Sequence, residues 1–351
     1  LPAPAHLLAG VFVSWDQGER EEMQANQRCA SFVSRNNGTS WSRHDFPLID
    51  CVDPQVAILP DGQAIFVGLG RVPGIQPRTN TWLVVYRSPD GGVTWESEPT
   101  LIGRGHDHPA LVVDYLSPSR KGWVYIITTH EWRDGNGDGV TGIFVVRSRD
   151  SGKSFDEPTV VSPNNLGNGG EMPAVLSDGT LIASFVDESP SPPRFERRRA
   201  WIVRSDNGGS SFSTPFLVSN DVCGPPPVYQ LSALVADVSD GPFRDRLYFA
   251  CRQFGGGPVV VVSSKDGGRR WNRPGVPVGP TTPTADAAAR RVMTLAVNNA
   301  GVVGVFIAER TAKSGDGCLR FLFAASFDGG ESFGSAEPVS TSGCEQLAID
   351  E

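Results

Sequence analysis

The sequence predicts an all-β fold of six four-stranded antiparallel sheets arranged radially, a six-bladed β-propeller, and three observations carry that expectation. The first is a repeat. SRNNGTSW (from Ser34), SPDGGVTW (Ser88), SRDSGKSF (Ser148), SDNGGSSF (Ser205), SKDGGRRW (Ser264) and SFDGGESF (Ser326) share one template: Ser, then Asp or Asn two residues on, then Gly, then Trp or Phe. The starting serines lie 54, 60, 57, 59 and 62 residues apart, and a fixed period of that size marks a repeat architecture. The second is a pair of hairpin patterns in each period. The third is composition: Gly 40 and Pro 28 among 351 residues, with Met only 3, favour turns and short strands over long helices.

The elements follow in order. Within each repeat, Asp or Asn close to Gly suits a tight turn at positive φ, and runs such as TWLVVYRS, GIFVVRS and PVVVVSS enter it as strands. Between repeats comes the second hairpin, as in DPQVAILPDGQAIFVG (Asp53 to Gly68), HPALVVDYLSPSRKGWVYII (His108 to Ile127) and EMPAVLSDGTLIASFVD (Glu171 to Asp187). Two hairpins give four strands per period, and radial repetition protects the strand edges. LLAGVFVSW and RCASFVS precede the first repeat, one strand short of a blade, and CEQLAID follows the last. The two termini are therefore expected to close one blade together, making residues 1–351 a single domain of six units of about 58 residues.

Charge and hydropathy exclude several function classes. The formal charge of -8 arises from 39 acidic against 31 basic side chains, and the one basic cluster, RFERRRA at Arg194 to Ala200, is too short to neutralise a phosphate backbone. A nucleic-acid partner is not expected. No run approaches the 18 or more apolar residues of a membrane-spanning helix, and the apolar part of LPAPAHLL is too short for a signal peptide, which fits a mature chain. A monomer is expected.

The six segments resemble the Asp-box, or BNR, repeat of the sialidase superfamily, and with the linking hairpins the resemblance covers essentially the whole chain. It implies that each box sits between the third and fourth strands of a blade, opposite the active site, where its Asp caps turn amides and its aromatic ring packs between strands. Asp90, Asp150, Asp266 and Asp328, with Asn36 and Asn207, are accordingly expected to be structural.

The site is then expected at the other end, where the inner strand of each blade starts and the second strand ends. Those positions hold Asp53, His106, Asp107, His108, Glu131, Arg133, Asp187, Tyr229, Arg252, Arg291 and Arg310, here assigned to substrate binding, with Asp53, Asp107, Glu131 and Asp187 as reserve carboxylates. Facing carboxylates suit acid and base work on a glycosidic bond, and arginines suit a bidentate clamp on a carboxylate. The plain alternative is that strand ends are polar because they meet solvent. GGEMPAVLSDGTLIASF is similar to the segment that bears the family's catalytic Glu, which implies that role for Glu171, and Asp16 in VSWDQGE lies near the place of the family's acid. The chain departs from the family in having no Arg-Ile-Pro on the first inner strand, Val186 or Asp187 at an arginine position, and Arg290, Arg291 and Val292 where a Tyr nucleophile belongs. The resemblance implies a sialidase-like, glycan-directed glycoside hydrolase that does not use the conventional sialidase set, with a glycan or other small acidic ligand as its partner. The alternative is a propeller that binds glycan or protein without turnover.

Two further patterns bear on metals and compartment. DGNGDG places Asp134, Asn136 and Asp138 at the alternate positions that open a calcium loop, but Val145 stands where an EF-hand needs its bidentate Glu. A structural Ca2+ in a short hairpin loop and a plain Gly-rich turn are both open, and no cofactor is required. His106, His108 and His130 are expected to be satisfied polar loop residues, since no cysteine pattern joins them in a zinc set. Six cysteines admit 15 pairings. Cys29 and Cys318 precede their repeats by 5 and 8 residues, and Cys51 and Cys344 follow the repeat serines by 17 and 18. These equivalent places give Cys29–Cys51 and Cys318–Cys344, leaving Cys223–Cys251. Such bonds imply a secreted or periplasmic protein; reduced buried thiols are the alternative.

Overall fold

The computed structural model describes residues 6–13, 27–75, 81–133, 139–162, 172–188, 198–223, 233–252, 257–281, 290–311 and 318–339. Among these there is no helix, and every strand belongs to one of six antiparallel sheets. The chain divides into two compact units, Leu1–Asn165 with Gly208–Ser211, and Leu166–Asn207 with Phe212–Glu351.

The first unit holds three sheets, each a simple meander of consecutive strands. They are β1 (Leu7–Val13), β2 (Arg28–Ser34) and β3 (Ser42–Asp45); β4 (Ile49–Ile58), β5 (Ala64–Arg71), β6 (Trp82–Ser88) and β7 (Thr100–Arg104); and β8 (His106–Val113), β9 (Val124–Arg133), β10 (Gly139–Ser148) and β11 (Thr159–Val160). The second unit repeats the plan with β12 (Met172–Val175), β13 (Leu181–Glu188), β14 (Arg198–Ser205) and β15 (Phe216–Cys223); β16 (Ala233–Ala236), β17 (Leu247–Arg252), β18 (Val259–Ser264) and β19 (Val276–Val278); and β20 (Arg290–Val297), β21 (Val303–Thr311), β22 (Cys318–Ser326) and β23 (Glu337–Pro338). This is the predicted all-β blade set. The sheet of β1 to β3 has three strands among the described residues, and the segment expected to complete it, CEQLAID, lies outside them.

Strand periodicity explains why the middle strands read as continuous apolar runs. In β17, Leu247, Phe249 and Cys251 enter one core cluster with β12, β14 and β18, whereas Tyr248 and Ala250 enter another with β20 to β22. In β5 the same alternation sends Ile65, Val67 and Leu69 toward β8 to β10 and Phe66 toward Phe46 and Tyr86. Successive side chains point to opposite faces, so a strand flanked on both sides must be apolar at every position. Each buried Val, Leu, Ile or Phe among them contributes about 1.5–3 kcal/mol relative to exposure. Three of the outermost strands are short or polar, β11 and β23 with two residues each and β3 reading SRHD, which leaves little edge there to pair with another chain.

The Cys29–Cys51 disulfide is present, joining β2 to β4 with the Cα atoms 5.5 Å apart. Cys251 is also disulfide-bonded. The side chains of its expected partner Cys223 and of the Cys318–Cys344 pair lie outside the described residues.

Candidate functional site

In each sheet the repeated turn lies between the last two strands, and its chemistry is the same throughout. Ser88 Oγ donates to Asp90 Oδ1 at 2.8 Å, and that carboxylate accepts the amides of Val93 and Thr94 at 3.1 and 2.8 Å and the Thr94 hydroxyl at 2.7 Å. Asp150 and Asp328 repeat the pattern with Lys153 and Ser154 and with Glu331 and Ser332. In the first turn, Asn36 Oδ1 accepts the Ser40 amide at 2.9 Å. Burial works against ionisation of these aspartates, but the hydrogen bonds outweigh it and hold Asp90, Asp150 and Asp328 at about 2. The turns also seat against the preceding sheet of their own unit: Arg147 donates to Gly208 O at 2.7 Å, Arg246 to Gly329 O at 2.5 Å, and Arg204 to Gly267 O. The Asp90, Asp150 and Asp328 carboxylates are thus committed to their own turns.

The opposite end of the first unit is built differently. The ladder between β4 and β5 is broken between Ile49, Val52 and Gln55, and that between β8 and β9 between Asp107 and Ala110. At these breaks Asp50, Asp53 and His108 adopt φ of 52°, 51° and 49°, a region where Asp and His occur more readily than most side chains. Asp53 and His108 occupy the same place in adjacent sheets, each one residue before a proline, Pro54 and Pro109. The two bulges bring Asp53, Asp107 and His108 together, with one donor atom from each within 4.8 Å of the others. His108 Nδ1 lies 3.3 Å from Asp107 Oδ2, and the His108 amide donates to Asp107 Oδ1 at 3.0 Å. Burial raises the Asp53 carboxyl above the ordinary aspartate value; the His108 charge opposes this and Asp107 adds to it. Two carboxylates and an imidazole form a donor set suited to a divalent cation or to the hydroxyls of a sugar.

Beside this group His106 and His130 face each other across β8 and β9, ring centroids 4.4 Å apart. Both are strand residues, His106 at the inner-strand start where it is expected, so the parallel expectation of satisfied loop histidines does not hold for it. His130 Nδ1 donates to Gly105 O at 3.1 Å, while His106 is buried with Nδ1 lacking a hydrogen-bond partner among the described residues. Burial, then the nearby His130 charge, lowers His106 to about 4, so it stays neutral at physiological pH.

Glu131 and Arg133 fall at the end of β9, paired with Thr141 and Gly139. In the second unit Asp187 pairs with Arg199 at the end of β13, Arg291 with Ala308, and Arg310 with Leu319. Arg252, the last residue of β17, is 6% exposed. Glu309, on β21, is 8% exposed and accepts from Arg320 at 2.6 Å. Glu171, Asp16 and Tyr229, and the calcium candidates Asp134, Asn136 and Asp138, lie outside the described residues. Sequence reasoning did not single out Asp50, which is ion-paired with Arg71 across the first bulge. The available signal was Arg71 ending β5 opposite the start of β4.

No family model and no curated protein sequence matches the chain. Solved structures do. The GH93 α-L-arabinofuranosidase of Fusarium graminearum, solved with arabinobiose, aligns over 80% of this chain and 80% of its own, with TM-score 0.53 and 14% identity. The α-L-arabinanase of Penicillium chrysogenum aligns over 80% and 81%, with TM-score 0.52 and 14% identity. A Trypanosoma rangeli sialidase aligns over 88% of this chain but only 51% of its own, with TM-score 0.52 and 15% identity, so this chain spans about half its length. At such identities the likeness is one of fold, the six-bladed β-propeller.

Proposed function

We propose that the chain is a glycan-directed glycoside hydrolase working at the strand ends opposite the repeated turns. The observation that carries this reading is the Asp53, Asp107 and His108 group. Its two carboxylates come within 4.8 Å, close to the roughly 5 Å separation of paired carboxylates in retaining glycosidases. Asp53, kept protonated to higher pH by burial, is the proton donor to the glycosidic oxygen, and exposed Asp107 is its carboxylate partner. Glu171 and Asp16 are the rival carboxylates, on the resemblance of their segments to the sialidase pattern. The similar structures, an arabinofuranosidase, an arabinanase and a sialidase, favour a glycan as ligand. The disulfides favour a secreted or periplasmic setting. No helix of the described residues is long and apolar enough to cross a membrane.

The test is hydrolysis of aryl glycosides, an α-L-arabinofuranoside and a sialoside among them, by the parent chain and by Asp53→Asn, Glu171→Gln and Asp16→Asn. Turnover that Asp53→Asn reduces by about 100-fold or more supports the reading. Loss only in Glu171→Gln or Asp16→Asn moves the chemistry to those residues. Silence across the panel with glycan binding retained turns the protein into a binding module.

A further inference from the structure

We infer that the Cys29–Cys51 disulfide and the Asp50–Arg71 ion pair together form a positioning clamp that aims Asp53 at Asp107 and His108. The inference rests on the reading of that group as the working site. Within four residues β4 carries two left-handed positions, Asp50 and Asp53, where its ladder to β5 is irregular, so strand pairing alone does not set their direction. Other contacts do. Cys51 is fully buried, bonded to Cys29 through sulfur, and its amide donates to Gln27 O at 3.2 Å. From the start of β2, Arg28 Nη1 donates to Leu48 O at 3.2 Å, which fixes the approach to the bulge in β4.

Two glycines of β5 lie beside the segment, and at Gly70 a side chain would crowd Leu48. A Cβ on Gly70 would sit 3.2 Å from Leu48 Cβ and 3.6 Å from Cys51 Cα, and one on Gly68 would sit 3.5 Å from Cys51 Sγ. Arg71, the next residue of β5, takes the Asp50 carboxylate. On the far side Pro54 packs against β1, where a Cβ on Gly10 would lie 3.6 Å from the proline Cβ. Asp53 thus follows the anchored Cys51 by two residues and precedes Pro54, which lies over Gly10 of β1, and its carboxylate is toward the His108 amide. A disulfide serving stability alone would not need to fall between two left-handed aspartate positions, one of them in the site.

The clamp is tested by 13C NMR titration of the Asp53 side-chain carboxyl, its signal assigned with Asp53→Asn, in the parent chain and in the Cys29→Ala/Cys51→Ala double variant. The expected result is a midpoint above the ordinary aspartate value in the parent, falling toward it in the double variant as the carboxyl turns to solvent, while Asp90 in the repeated turn stays at about 2. An unchanged Asp53 midpoint in the folded double variant overturns the inference. Should that variant fail to fold, Arg71→Gln carries the same expectation and the same overturning result. The glycoside panel separates the two readings: Asp53→Asn without effect on turnover or glycan binding removes the site assignment, whereas the titration judges the clamp alone.

Discussion

At the repeated-turn end, Asp90, Asp150 and Asp328 each collect a serine hydroxyl, two turn amides and a further hydroxyl, and their protons are lost at about 2. At the other end of the first unit, Asp53 sits at positive φ in a broken ladder, against a second carboxylate and an imidazole, with its proton held longer than usual by burial. Both ends use aspartates beside turns or bulges, but one satisfies its carboxylates within the fold while the other leaves them facing one another. The comparison teaches that residue type alone does not mark a site. The balance of hydrogen bonds against burial and like charge does.

The comparison can be broken most strongly by disturbing the turns. Gly268 has φ 93°, and a Cβ there would overlap Ile202 Cδ1, so Gly268→Ala is expected to cost roughly 2–3 kcal/mol in urea unfolding from left-handed strain plus overpacking. A loss below about 0.5 kcal/mol would show that the turn is loosely seated. Removing the Asp90 carboxylate by Asp90→Ala is expected to cost about 1–2 kcal/mol, because several donors lose a charged acceptor. The same unfolding curves measure it.

The sign of the pH dependence sharpens the contrast. Asp90, Asp150 and Asp328 have folded pKa values below the unfolded one, so their stabilisation is present above about 4 and is lost as pH falls toward about 2. Asp53 has a raised folded pKa, so its contribution is present below the unfolded value and is lost as pH rises through the folded one. Asp53→Asn is therefore expected to raise the melting temperature at pH 7 and to leave it unchanged at pH 3. A lowered melting temperature at pH 7 would mean that ionised Asp53 is stabilised by its neighbours. The smallest effect is expected at Arg43, whose pair with Asp45 is exposed: Arg43→Gln should change stability by less than about 0.5 kcal/mol.

The blade set was legible because its signal is local chemistry. A Ser, an Asx and a Gly at fixed offsets specify one turn, and six copies specify six sheets. The placement of Asp53, Asp107 and His108 at one end was legible too, from the hairpin pattern around DPQVAILPDG and HPALVVDY. The bulges were not, because they depend on how β4 and β8 register against β5 and β9, and a residue before proline is usually extended rather than left-handed. The strand position of His106 was legible, but its burial was not, because it arises beside Gly103 of β7 and the cross-strand His130, 24 residues away in sequence, which no local pattern reveals.

The most direct test of the central claim sets one aspartate from each end side by side. On whichever glycan the parent chain turns over or binds, Asp53→Asn is expected to lose about 100-fold or more in kcat/KM, or an equivalent share of affinity, while Asp90→Asn stays within about twofold. Equal losses in both variants, or an Asp53→Asn protein as active as its parent, would contradict the division of labour between the two ends.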